Sequence, residues 1–146
     1  MKIYLDVCCL NRPFDNHSQD RIRLESEAVV TILERCQIGK WHLVSSEIVD
    51  IEISKIPNPD KRYKMKILAT IRQAFITVDE FVEARAIELE ELGFKAYDAL
   101  HIACAERSGA DVFLTTDDSL VKKALQNKDI SRVRVENPVK WLMEVI

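Results

Sequence analysis

Five acidic side chains occupy positions where the surrounding pattern is apolar or structurally exposed to a turn: Asp6, Glu52, Asp98, Asp117 and Asp118. Asp6 is the only polar residue in the run from Ile3 to Leu10, and burying a lone charge costs several kcal/mol unless it is paired or metal-bound. Glu52 is marked by helical spacing. At about 100° per residue it falls about 40° from Ile48, inside the stripe formed by Ile48, Val49, Ile53 and Ile56, while Glu47 and Asp50 lie opposite. Asp98 opens the apolar helix that begins at Tyr97, and Asp117 and Asp118 directly follow the apolar stretch Val112 to Thr115. Each acid also has a structural role open to it. Asp6 could form a turn and Glu52 could meet a basic partner, while Asp98 could serve a helix dipole and Thr116 or Asp117 could cap a helix. Together they make a set of oxygen donors suited to a hard divalent cation. The histidines, His17, His42 and His101, show no ligand spacing, and Cys8, Cys9, Cys36 and Cys104 show no Cys-x-x-Cys spacing and read as buried free thiols.

The elements that must position these acids follow from periodicity and punctuation. Ile3 to Leu10 reads as a buried strand ended by Asn11-Arg12-Pro13, and Gln19 to Ile38 as a helix closed by Gly39. Trp41 to Ser45 is a second strand, after which Ser46 caps a helix reaching about Ile56. Pro57 and Pro59 then separate it from a helix spanning about Lys61 to Gln73. Further strands are expected at Phe75 to Val78, Val112 to Thr115 and Val133 to Val135. Helices are expected at Asp79 to Leu92, Tyr97 to Ser108, Asp118 to Asn127 and Val139 to Val145. Such alternation indicates an α/β domain whose parallel sheet is covered on both faces, with ligands expected outside the carboxyl ends of its strands. The 146 residues, 47% hydrophobic and 31% charged, suit a single domain with a substantial core.

A net charge of −3 disfavours a protein that coats nucleic acid by overall positive charge, but the charge is segregated. Lys55, Lys61, Arg62, Lys64, Lys66 and Arg72 face only Asp60 in their segment, whereas the segment from Val78 to Leu92 carries Asp79, Glu80, Glu83, Glu88, Glu90 and Glu91 against Arg85 alone. The basic segment is either a solvated face or a surface that tracks phosphates. No apolar stretch approaches the roughly 20 residues of a membrane span and no signal-peptide pattern is evident, so a cytoplasmic protein is expected.

The stretches MKIYLD, SSEIVDIE, YDALHIACAERSGAD and VFLTTDD resemble the successive motifs of PIN domains, in order and over nearly the full length, the third most specifically. The resemblance implies a three-layer α/β/α sandwich over residues 1–146 around a mostly parallel sheet of about five strands. It also implies that the family's acidic positions fall on Asp6, Glu52, Asp98 and Asp117, with Asp118 auxiliary to the last or a substitute for it, and that Mg²⁺ or Mn²⁺ is the cofactor. Many small prokaryotic PIN proteins, the VapC type, are toxins of toxin-antitoxin pairs that cut RNA. An RNA substrate is therefore implied, and a cognate antitoxin and a homodimer come into consideration. Where PIN domains commonly carry Ser, Thr or Asn beside the first Asp, this chain has Val7, Cys8 and Cys9, with Asn11 the nearest amide.

In a reaction of that kind the metal activates water for in-line attack on the phosphodiester, and basic groups stabilise charge on the phosphoryl oxygens. Arg12, Lys55, Lys61 and Arg62, with Lys64 and Lys66, are the candidate substrate contacts. Without metal, Glu52 is expected to crowd the other carboxylates. A haloacid-dehalogenase-type phosphatase would need a second Asp where Cys8 stands, and the acid and lysine set of a receiver domain is not apparent. The rival reading is a PIN-fold RNA- or protein-binding module that has lost activity, against which stands the presence of all four acids.

Overall fold

The computed structural model describes residues 1–146. Five strands, β1 (Lys2–Leu5), β2 (His42–Ser46), β3 (Ala74–Ile76), β4 (Val112–Leu114) and β5 (Arg134–Glu136), form one sheet in the order β3-β2-β1-β4-β5. Every pairing is parallel. Eight helices surround it: α1 (Val7–Asn11), α2 (Asp20–Gln37), α3 (Glu47–Ser54), α4 (Pro59–Ala69), α5 (Glu80–Glu91), α6 (Ala96–Ser108), α7 (Asp118–Gln126) and α8 (Pro138–Val145). The central strands are buried on successive residues and so on both faces, as a parallel sheet between helical layers requires. The fold is thus the three-layer α/β/α sandwich expected from the sequence. Its core is one continuous cluster of 37 buried apolar residues. No helix is long and apolar enough to cross a membrane.

The first strand is shorter than its apolar run suggests. It stops at Leu5 because the Asp6 side chain accepts a 2.8 Å hydrogen bond from the Val7 N–H, which starts α1. A 3-10 turn, Arg12–Phe14, follows with Pro13 in its first turn. The helix expected from Lys61 begins instead at Pro59, where the Asn58 side chain caps it, and ends at Ala69. Gly109 closes α6 in the left-handed conformation, φ 70°, that glycine adopts without a Cβ clash.

This strand order places a switch point between β1 and β4. From β1 the chain proceeds outward through β2 and β3, then returns to lay β4 on the other side of β1. Connections leave the carboxyl ends of β1 and β4 in opposite directions, which opens a crevice there. Asp6 follows β1 immediately and Asp117 comes three residues after Leu114, the last residue of β4, so both acids stand at that crevice.

Candidate active site

Asp6 is held from two sides. Its carboxylate accepts the Val7 N–H on one oxygen and the Thr115 hydroxyl, at 2.8 Å, on the other, and it is buried to 8% exposure. Thr115 Oγ1 also accepts the Asp117 N–H at 3.2 Å. One hydroxyl therefore ties the acid after β1 to the turn after β4. The hydroxyl absent from positions 7 to 9 is supplied from the neighbouring strand. Cys8 Sγ lies 3.4 Å from the same hydroxyl, and Asn11 turns away to donate to Asp15 at 2.9 Å. Asp117 caps α7, its Oδ1 accepting from Ser119 and Leu120 N–H, while its residue remains exposed.

Asp98, in the first turn of α6, is the carboxylate under electrostatic pressure. Partial burial, and then the charges of Asp6 and Asp117, push its pKa up from 3.8 to about 6. Asp98 and Asp117 line one cavity, and Thr115 links Asp117 to Asp6. The raised pKa within the acidic set is that of Asp98, and Glu52 has a partner in the core. Its side chain, 25% exposed and within the otherwise buried stripe of α3, reaches Nε2 of the fully buried His101. Nδ1 of His101 meets the Tyr4 hydroxyl at 2.8 Å, and that hydroxyl meets Ser46 Oγ at 2.6 Å.

The directions of these bonds follow from their ends. With Glu52 as a carboxylate and His101 as a neutral imidazole, His101 donates from Nε2 and Tyr4 donates to Nδ1. Ser46 Oγ accepts the Val49 N–H and donates to Tyr4. This chain fixes the Glu52 side chain from the core. His101 Nε2 also lies 3.8 Å from Asp6, so the same ring borders two of the acids. Replacing His101 by Leu strands a buried hydroxyl and loosens Glu52. A loss of about 1–3 kcal/mol in urea unfolding is expected, and an unchanged midpoint would mean that the chain carries no stability.

Asp118 goes elsewhere. Arg21 grips it bidentately at 2.6 and 2.7 Å, which lowers its pKa, and the same guanidinium reaches the Thr116 carbonyl and Glu25. Arg12 is likewise committed, to Asp15 and to Glu25, whose buried carboxylate is also bonded by Asn137 at 2.7 Å. Arg62 donates to the Ile56 carbonyl, Lys61 pairs with Asp15, Lys64 with Asp60 and Arg72 with Asp50. Lys55 bonds the Tyr97 hydroxyl beside Asp98. Most cations of the basic segment therefore have internal partners.

No three Asp, Glu, His or Cys side chains converge tightly enough to enclose an ion by themselves. Magnesium does not need such a cage. It binds through one or two carboxylates and retains several waters, and Asp98 and Asp117, which line one cavity, offer such a pair of oxygen donors. A linkage test follows. Because the folded pKa of Asp98 is raised, the folded chain binds more protons than the unfolded one between about pH 4 and about 6, and its stability falls as pH rises through that window. Melting temperatures in chelator should show this decline for the wild type and a shallower one for Asp98→Asn. Identical profiles would remove Asp98 from the acidic group.

Residues 3–125 match the sequence model of the PIN domain family. The chain belongs to that family. Among solved structures, this PIN domain is similar to FitAcB from Neisseria gonorrhoeae, at 18% identity over 93% of this chain and 97% of that one, with a TM-score of 0.61. It is similar to VapBC2 from Rickettsia felis bound to a DNA fragment from their promoter, at 18% identity over 94% and 98%, with a TM-score of 0.62. A Pyrobaculum aerophilum protein shares 13% identity over 99% and 88%, with a TM-score of 0.54. At these identities the likeness concerns the fold. Comparison with curated protein sequences gives no match.

His101 is the residue of this site that sequence reading passed over. Its signal was available: it is a polar side chain inside the buried helix of a PIN domain, three residues after Asp98, and a buried imidazole needs partners.

Proposed function

We propose that this PIN domain is a divalent-metal-dependent endoribonuclease, the toxin of a toxin-antitoxin pair. PIN domains are generally nucleases, and the relatives FitAcB and VapBC2 support the toxin reading. The observation that carries it is geometric: Asp98 and Asp117 line one cavity and the Thr115 hydroxyl joins Asp6 to Asp117, while burial first, and then the charges of Asp6 and Asp117, raise the pKa of Asp98. Glu52 completes the set from α3, oriented by His101.

In this reading Asp6, Glu52, Asp98 and Asp117 hold Mg²⁺ or Mn²⁺, which when bound supplies a Lewis acid and lowers the pKa of water. Asp6 is kept in place by Val7 and Thr115, and Thr115 transmits that position to Asp117. Asp118 would serve the site indirectly, since Arg21 uses it to brace the Thr116 to Asp118 turn.

Purified protein should be incubated with an RNA mixture and with DNA of matching sequences, in chelator and in Mg²⁺ or Mn²⁺. Cleavage of RNA in the metal-containing samples alone is expected. Intact RNA under all conditions, with RNA still bound, would favour the binding-module reading.

A further inference from the structure

Two lysines that the sequence reading did not single out line a cavity of about 150 Å³ beside the acidic group. Asp98, Asp117, Lys95, Lys123 and Ser119 line the cavity, together with Leu120 and with Gly93 and Phe94 of the turn between α5 and α6. Lys95 immediately precedes α6, and Lys123 comes from the second turn of α7, so the two are distant in sequence and meet only in the fold.

Lys123 is partly buried and its ammonium is seated against the turn. A Cβ at Gly93 would stand 2.8 Å from Nζ, and Gly93 also takes φ 100°, so this glycine both makes the turn and leaves room for the lysine. Neither ammonium makes an ion pair with Asp98 or Asp117, although all four groups line one cavity. Both signs therefore line one cavity without a close ion pair between them, Lys95 acting on Asp98 only through space. In the basic segment, by contrast, Lys61, Lys64 and Arg72 are paired with Asp15, Asp60 and Asp50.

A ligand for such a cavity offers an anion to the lysines, and a cation bound beside it would in addition screen the acids. A phosphodiester whose oxygens also contact a divalent ion meets both demands. We propose that Lys95 and Lys123 form the subsite that receives an RNA phosphate next to the acids, and that the Lys55 to Arg72 segment contributes little to RNA binding. This inference rests on the ribonuclease reading and assigns its substrate contacts.

Binding of a labelled single-stranded RNA of mixed sequence should be measured in chelator, where no cleavage intervenes, over a range of salt concentrations. The comparison uses wild type, Lys95→Ala with Lys123→Ala, and Lys61→Ala with Lys64→Ala, each checked for an unchanged melting temperature. The first pair should weaken binding and reduce the slope of log affinity against log salt by about 1.4, at about 0.7 per single-strand phosphate contact, while the second pair leaves the slope unchanged. Lys→Arg at both positions should restore the slope if it keeps the wild-type melting temperature. Wild-type affinity and slope in the Lys95/Lys123 pair would overturn the subsite while leaving the ribonuclease reading intact. Absence of RNA binding and cleavage by the wild type would overturn both.

Discussion

Asp6→Asn is expected to reduce metal-dependent RNA cleavage by on the order of 10²–10³-fold or more, the scale seen when a preorganised electrostatic group is removed from an active site. The substitution should not unfold the chain. The Asn carbonyl oxygen can still accept the Val7 N–H and cap α1, since Asn and Asp are equally good at that position. Its amide can donate to Thr115, whose hydroxyl has a second lone pair beyond the one facing the Asp117 N–H and can turn its own proton elsewhere. What is lost is the charge. Rates for folded wild-type and variant protein at saturating Mn²⁺ decide the matter, with circular dichroism as the folding control. Wild-type cleavage by the folded variant would remove Asp6 from the site.

Asp98→Asn should separate stability from activity in opposite directions. Burial and the charges of Asp6 and Asp117 oppose ionisation of Asp98, so deleting its charge relieves the metal-free protein at neutral pH and should raise its melting temperature. Cleavage should fall as it does for Asp6→Asn. Divalent ion at ten times its dissociation constant adds about 1.4 kcal/mol to the wild type by mass action. For a chain near this size that corresponds to roughly 3–6 °C. The variant begins higher and gains less from metal. Differential scanning calorimetry with and without Mn²⁺ measures both, and an Asp98→Asn protein that is less stable without metal yet responds fully to it would make Asp98 a simple helix-terminus charge.

Much of this site could be read before the fold was known, because it obeys local rules. The 3.6-residue period put Glu52 on the buried face of α3, where the structure has it reach His101. The apolar runs located all five strands, and punctuation by Gly39, Pro57, Pro59 and Gly109 separated the helices. Asp6 was correctly seen as an anomaly, but the end of β1 was set by a side-chain bond to the next N–H, which hydrophobicity does not report. The partners of ions were not legible. Asp15 and Asp50 lie far along the chain from Lys61 and Arg72, so the basic segment looked more available than it is. Glu25 is buried on α2 because Arg12, Arg21 and Asn137 converge on it from three elements. Lys95 and Lys123 were missed for the same reason, since only the packing of α7 beside the α5 to α6 turn brings them together.

The direct test of the acidic group is titration of Mn²⁺ into chelator-treated protein, followed by calorimetry, for the wild type and for a variant carrying Asp6→Asn and Asp98→Asn. The wild type should bind the ion with protons released as pH is lowered toward 6, and the double variant should show no saturable binding. Undiminished binding by the folded double variant, or none by the wild type, would contradict a metal site built on these carboxylates.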